Sequence, residues 1–281
     1  MLAVGDLICS QAIASIFVNP TQFGPNEDFD RYPRMVDSDV QKLQTVHTDY
    51  VFVPSTQDMY PGDPPQAVFV TVDGVEKVAE GGSRPGFFRG VATVVSKLFN
   101  IVQPTKAYFG ECPLYSYVYH PLEERVQSAD LDRYSSRTGQ KDGMQCIVLR
   151  RMVRELNFPV ELVICPTVRE SDGLAMSSRN AYLSPAERAV APVIYRGLQA
   201  AERLYKHQGQ HAPAALRSAV MQVLKTEPSI EPLYVSVGEM STGAELGDDA
   251  DGAARAKKGV MLSVAVKLGK TRLIDNILLE P

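Results

Sequence analysis

Hydrophobic and polar positions alternate between two periods along this chain. Residues 13–18 form a β-branched apolar run, and Asn19-Pro-Thr-Gln-Phe-Gly-Pro25 behind it is dense in turn residues, which predicts a strand emptying into a loop. After Tyr32-Pro33 the spacing becomes helical, with Val36, Val40 and Leu43 on one face, and residues 50–53, closed by Pro54, predict the next strand. Strand, helix, strand in that order implies a parallel sheet. Residues 67–72 predict another short strand, and a Gly-rich stretch, 81–86, leads into a helix carrying Val91, Val94, Val95, Leu98 and Phe99. Residues 106–110 predict a strand, a helix carries Ile147, Leu149, Met152 and Leu156, and residues 160–165 predict a buried strand with Pro at each end.

The last third reads differently. Helices are predicted around 186–206 and 213–225, then strands at 233–237, 260–266 and 272–277, a small α+β unit. Residues 247–258 are charged and rich in Ala and Gly, which predicts a flexible hairpin loop. Between 111 and 138 no period is sustained, and a structureless loop of that length inside a compact domain is uncommon.

Composition narrows the function classes. A chain of 281 residues, 44% of them hydrophobic, can bury one large core or two moderate ones. The formal charge of −4 gives no electrostatic case for nucleic acid or an acidic membrane, and no apolar run approaches the ~20 residues that span a bilayer. Cys9, Cys112, Cys146 and Cys165 are dispersed without a C-x-x-C, so neither a zinc site nor a disulfide framework is expected. Residues 1–10 lack the basic and apolar regions of a signal peptide, and the cytoplasm is the expected compartment. Small-molecule chemistry is the class that remains.

Polar chemistry gathers at predicted strand ends and helix starts. Ser177-Ser-Arg-Asn180 follows the strand at 160–165, and two hydroxyls beside a guanidinium suit a polyphosphate, although the same residues also read as a loop leading to the helix cap at Ser184. Gly139, Lys141, Asp142 and Gln145 converge on another helix start, where Asp142 also reads as an ordinary N-cap. Arg84 and Arg89 lie near the start of the helix at 87, a position that favours anions; structural carboxylates or solvation would account for them equally. His207 and His211 stand four apart, but Gln208-Gly-Gln210 breaks the helix that would align them, so no metal pair is expected.

Six blocks taken together resemble the pantothenate synthetase (pantoate–β-alanine ligase) family, in its fungal wording. They are Ser15-Ile-Phe-Val-Asn-Pro-Thr-Gln-Phe23, Arg31-Tyr-Pro-Arg34, Arg84-Pro-Gly-Phe-Phe-Arg-Gly-Val91, Gly139-Gln-Lys-Asp142, Asp172-Gly-Leu-Ala-Met-Ser-Ser-Arg-Asn180 and Arg272-Leu-Ile-Asp-Asn276. The resemblance implies a Rossmann-like nucleotidyltransferase domain over 1–168 with a parallel sheet, a smaller C-terminal α+β lid domain over 169–281, and a homodimer. It implies ATP and Mg2+, with pantoate and β-alanine as substrates and a pantoyl adenylate between them. Residue by residue, Gln22 and Gln145 would hold pantoate, with Asn19 and Arg89 in support. Gly139, Gln140, Lys141 and Asp142 would line the ATP site, Val168 would meet the nucleotide by its backbone, and Met176, Ser177, Ser178 and Arg179 would form the phosphate-binding motif. Lys141, Ser177, Ser178 and Arg179 would carry catalysis, and no protein-held metal site is implied.

The chain also departs from the family. The family's Pro-Thr-Met-Gly and His-x-Gly-His stretch is missing, and His47, His120, His207 and His211 lack that context. An N-terminal truncation that removes the first strand and helix is expected to leave a neighbouring strand with an open edge. Residues 111–139 separate Tyr108-Phe-Gly110 from Gln140-Lys-Asp142, which are contiguous in the family, and are read as translated intron or a mistaken exon. Low or no activity is therefore expected of the chain as written. A non-catalytic paralogue that keeps both pockets, and an adenylate-forming enzyme with another acid, are the competing readings.

Overall fold

The computed structural model describes residues 11–25, 27–62, 67–109, 116–118 and 142–281. Two sheets organise it. The first has five strands, β1 (Ile13–Ser15), β2 (Tyr50–Phe52), β3 (Lys106–Phe109), β4 (Ser116–Val118) and β5 (Glu161–Ile164), in the order β2-β1-β4-β3-β5. β1 runs parallel to β2 and β3 parallel to β5, the second pair in register from Lys106 opposite Glu161 to Phe109 opposite Ile164. β4 is antiparallel to both of its neighbours, with Tyr117 opposite Ala14 on one side and Tyr108 on the other. The edge expected to lie open beside β1 is thus paired, by a strand from the stretch expected to be patternless.

The elements packed on this sheet are α1 (Val36–Thr45), α2 (Thr56–Met59), α3 (Ala79–Ser83), α4 (Phe87–Val102) and α5 (Gly143–Glu155). α4 carries the core because its apolar residues recur on nearly every face: Phe88, Val91, Ala92, Val95, Leu98 and Phe99 are buried, against Phe109, Leu149 and Met152. The second sheet is an antiparallel meander, β6 (Ile230–Glu239), β7 (Val260–Leu268) and β8 (Thr271–Leu279), covered by α6 (Pro185–Val190), α7 (Val193–Gln208) and α8 (Pro213–Leu224). Its core joins Leu198, Ala201, Leu216 and Val220 of the helices to Val264, Val266 and Ile277 of the strands. Met261 of β7 belongs to the first core instead, so the two layers meet through apolar contact as well as through charge.

Three expectations need correction. Residues 67–72 form no strand: Val68 is 77% exposed, and the Val70 N–H is satisfied by Thr93 Oγ1 at 3.0 Å instead of by a ladder partner. β-branched residues alone do not make a strand when no edge is within reach. The helical run around 186–206 is two helices, because Pro192 has no N–H to continue the ladder and its ring excludes the preceding turn. The stretch 247–258 holds a helix, α9 (Ala250–Ala256), which starts where Asp249 Oδ1 accepts from the Gly252 N–H at 2.8 Å.

That cap supplies a test of the correction. Asp249→Ala should lower the unfolding free energy by about 1 kcal/mol in urea denaturation. An unchanged midpoint would mean that the cap does not hold this turn.

Candidate active site

A cavity of about 670 Å³ opens between the two sheets, a size within the ~300–1,000 Å³ range of small-molecule sites. Its polar lining comes from the loop after β1, from Ser55 and Thr56 after β2, from Glu80, Ser83 and Arg84 before α4, from the start of α5, from the segment 177–182 that leads to α6, and from Lys270, Thr271 and Arg272 where β7 turns into β8. One wall is apolar, made by Phe87, Val91, Val94 and Val95 of α4 with Phe109 of β3. Gln22 and Asn19 thereby face the same space as Asp142, Gln145, Ser177, Ser178 and Arg179.

The loop after β1 is seated against α4. Asn19 caps a 3-10 turn, Pro20–Gln22, and Gly90 on α4 lets that turn approach, since a Cβ there would stand 2.5 Å from the Thr21 carbonyl oxygen. Arg84 reinforces it: Nη2 donates to the Gln22 carbonyl at 2.8 Å.

The segment 177–182 is clasped by the same loop further along. Arg179 donates to both oxygens of Asp28, from Nε at 2.9 Å and from Nη2 at 2.7 Å. Ser178 Oγ donates to Tyr32 Oη at 2.8 Å, and Tyr182 Oη donates to the Arg31 carbonyl at 2.8 Å. Burial pushes the Asp28 carboxyl up, but the hydrogen bonds and charge of Arg179 outweigh it and hold the group below its ordinary value. Burial likewise works against the Arg179 charge, and Asp28 more than restores it. The clasp is a fully ionised, bidentate pair.

On the cavity wall lies a second charged cluster centred on Glu80, whose side chain is 4% exposed. Arg272 of β8 reaches it twice, from Nη1 at 2.8 Å and Nη2 at 2.7 Å; Arg84 Nη1 reaches it at 3.2 Å and Tyr234 Oη of β6 at 3.0 Å. Burial raises the Glu80 pKa, but the bonds and charge of Arg272, the charge of Arg84 and the Tyr234 hydroxyl bring it below the usual carboxylate value. Burial and the Glu80 charge push the Tyr234 phenol well up, so it stays protonated as a donor.

Of the two arginines weighed for an anion site, Arg84 belongs to this cluster and Arg89 stands apart from it. Arg84 is spent on Glu80, Glu27 and the Gln22 carbonyl. Arg89 stacks its guanidinium on Phe69, 4.5 Å from the ring centroid, and does not line the cavity. The start of α4 is already served by an anion of the chain itself, because Glu76 accepts from the Gly86 and Arg89 backbone N–H groups at 3.1 and 3.0 Å.

Gly139, Gln140 and Lys141 lie outside the described residues. Asp142 stands at the N-cap of α5 but makes no side-chain cap bond there. Val168 and Met176 are not part of the cavity lining; the Val168 carbonyl accepts from the Met176 N–H at 3.0 Å. Among the described residues no group of three or more His, Cys, Asp or Glu could hold a metal ion. Sequence reasoning passed over Asp28, Tyr32, Glu80, Tyr60 and the pairing role of Arg272. Asp28 and Tyr32 offered one signal, a charged and aromatic loop directly after a strand end.

An α/β sheet with its polar cavity at strand ends, covered by a second α+β layer carrying Ser-Ser-Arg, defines an enzyme of nucleotidyltransferase-like fold with a C-terminal domain. The profile of the pantoate-beta-alanine ligase family matches residues 5–117 and 134–278, and the chain belongs to that family. The stretch left unmatched between those spans, 118–133, falls inside the expected insert of 111–139. Pantothenate synthetase of Chloroflexus aggregans is 47% identical over 271 residues, covering 96% of this chain and 84% of the relative. That of Chloroflexus aurantiacus is 48% identical over 272 residues, covering 97% and 83%. The crystal structure of pantothenate synthetase from Thermus thermophilus superposes with a TM-score of 0.78 at 40% identity, covering 96% of this chain and 83% of that one. A pantoate-beta-alanine ligase from Francisella tularensis, complexed with beta-gamma ATP and beta-alanine, superposes at 0.64 with 28% identity, over 95% and 78%.

Removing the Glu80 carboxylate tests how the layers are held. Glu80→Ala should destabilise the chain by about 3–5 kcal/mol in denaturant, since it leaves buried guanidinium charge without its partner. The Glu80 pKa is depressed by folding, so its contribution is fully present above the unfolded carboxyl value of about 4.3 and is lost as pH falls through the lower folded value. The difference between parent and variant should hold at pH 7 and close only in acid below about 4.

Proposed function

We propose that this chain catalyses the ATP-dependent condensation of (R)-pantoate with β-alanine to give pantothenate. The observation that carries the reading is the match of one ligase family across both layers, with Gln22 and Gln145 facing Ser177, Ser178 and Arg179 over one cavity. The ATP and β-alanine in the Francisella tularensis complex support the same substrates here.

A carboxylate is a poor acyl donor, and the reaction must first give its oxygen a good leaving group. In the first step a pantoate carboxylate oxygen attacks the α-phosphorus of ATP and pyrophosphate leaves with the bonding pair. In the second, the β-alanine amine attacks the acyl carbon of the adenylate, AMP leaves, and the amine loses its proton. Neither step needs a covalent bond to the protein. Its work is positioning and charge neutralisation.

Gln22 and Gln145 hold pantoate with amides able to donate and accept, and Asn19 and Arg89 support that pocket indirectly. The apolar wall of Phe87, Val91 and Val94 receives the carbon skeleton. Gly139, Gln140, Lys141, Asp142, Val168 and Met176 belong to the nucleotide side, with Lys141, Ser177, Ser178 and Arg179 on the phosphates. Mg2+ would be carried by the triphosphate and would supply neutralisation of phosphate charge beside Lys141, Ser177, Ser178 and Arg179. Residues 169–281 form a lid over 1–168 and keep water from the adenylate, with the Arg179–Asp28 and Ser178–Tyr32 bonds holding it down. A cytoplasmic homodimer completes the reading.

The experiment is AMP release by the purified 281-residue chain, with each substrate omitted in turn. AMP should require pantoate and β-alanine together, and Arg179→Ala should reduce its rate by about 10²–10³. Turnover should be slow in the parent, because the histidines of His-x-Gly-His are absent from the sequence. AMP formed equally well without pantoate would sink the assignment.

A further inference from the structure

We propose that Tyr60, acting through Asn19, is a positioning residue that fixes Gln22 as a hydrogen-bond donor toward the acid substrate. The inference rests on the assignment of Gln22 to the pantoate pocket and concerns which way round its amide is held. Asn19 and Tyr60 are each 4% exposed, so their polar atoms find partners inside the protein or not at all.

The amide of Asn19 has only one possible orientation. Its Oδ1 faces the Thr21 backbone N–H at 3.3 Å, a group that can only donate. Its Nδ2 faces the Gly90 carbonyl at 3.3 Å, a group that can only accept. Tyr60 Oη donates to Oδ1 at 2.7 Å, and Thr21 Oγ1 adds a further donor at 3.0 Å. Burial pushes the Tyr60 phenol above its ordinary value, so the proton stays on the oxygen that donates. The ring has no freedom to swing away: Lys97 lies over it at 4.6 Å from the centroid while its Nζ bonds the Met59 carbonyl at 2.6 Å.

The orientation then passes to Gln22. The second hydrogen of Asn19 Nδ2 points at Gln22 Oε1, 2.9 Å away, so that oxygen must accept. The Gln22 backbone is held as well, by its N–H to the Asn19 carbonyl at 3.2 Å and by Arg84 on its own carbonyl. What remains of Gln22 is Nε2, which has no hydrogen-bond partner among the described residues while the side chain lines the cavity. A glutamine able to turn over would read donors and acceptors alike; this one offers N–H only. Its complement is an oxygen with a free lone pair, and a carboxylate is the strongest such group. No side-chain hydrogen bond of Gln145 similarly fixes its amide among the described residues, so the two glutamines divide the work: one is set for an acceptor and the other adapts.

The test is calorimetric titration of pantoate into the 281-residue chain and into Y60F, Q22M and the double variant. Y60F keeps the ring, its packing and the Lys97 contact, and loses only the donor. It should weaken pantoate binding about fivefold, the worth of one hydrogen bond, while ATP affinity stays within about a factor of 2. In the Q22M background Y60F should add nothing, because the effect runs through Gln22. Asn19→Asp replaces the Nδ2 donor by an acceptor, so Gln22 turns its amide inward and presents Oε1; pantoate affinity should fall by about 30-fold or more. An equal Y60F effect with and without Gln22 would make Tyr60 merely structural and overturn the proposal, as would no effect at all. A parent chain that binds ATP but no pantoate would refute the reading of the pocket itself, and the proposal with it, whereas parent binding unmoved in Y60F refutes only the role of Tyr60.

Discussion

The buried carboxylate of Glu80 is the point on which the relation between the two layers turns. Four donors from three elements meet on its two oxygens and leave no lone pair facing apolar surroundings. Such a cluster contributes little net stability beyond what well-packed apolar residues would give, because desolvating the charges offsets most of their attraction. What it contributes is position. Arg272 and Tyr234 belong to the second sheet, while Glu80 lies on α3 and Arg84 directly after it, so a displacement between the layers would break several charge-assisted bonds at once, whereas apolar contact tolerates sliding.

That positional constraint propagates to the cavity through Arg84. Its guanidinium touches Glu80, Glu27 and the Gln22 carbonyl, and it lies flat over the Phe87 ring at 3.8 Å. Both the turn at Pro20–Gln22 and the apolar wall of the cavity are therefore registered to the same side chain. Gly90 completes the arrangement from the other direction, since the turn at Pro20–Gln22 can rest on α4 only where no Cβ intervenes. A small-molecule pocket needs this fixity, because its few polar contacts must all be made at once to repay the loss of hydration.

Much of this was legible in the sequence, for reasons that differ from element to element. The helix at 87–102 was visible because burial on nearly every face leaves a period, whereas the strand at 160–165, expected to be buried, showed by its β-branched run between prolines and is only partly covered. The Ser177–Arg179 run and Gln145 stood out as polar groups at a strand end and a helix start, while Gln22 took on a role only when six blocks were read together. Glu80 left no trace, because a buried carboxylate in an Ala-Glu-Gly-Gly stretch looks like any solvated turn until its partners, 192 residues away in Arg272 and 154 in Tyr234, are brought to it. The helix at Ala250–Ala256 was hidden by Gly252 and by charge, features that a cap and a tight packing contact can override. The strand Ser116–Val118 was hidden too, since three residues are too few to show alternation and their place is set by the two strands they join.

The Asp28–Arg179 pair ties the segment 177–182 to the loop after β1. An unpaired guanidinium three-quarters removed from solvent would be costly. Asp28 removes that cost by giving Arg179 the fork-shaped anion its geometry prefers. The clasp uses two of the guanidinium's five N–H donors, one on Nε and one on Nη2, so a further acceptor can be bonded without breaking the pair.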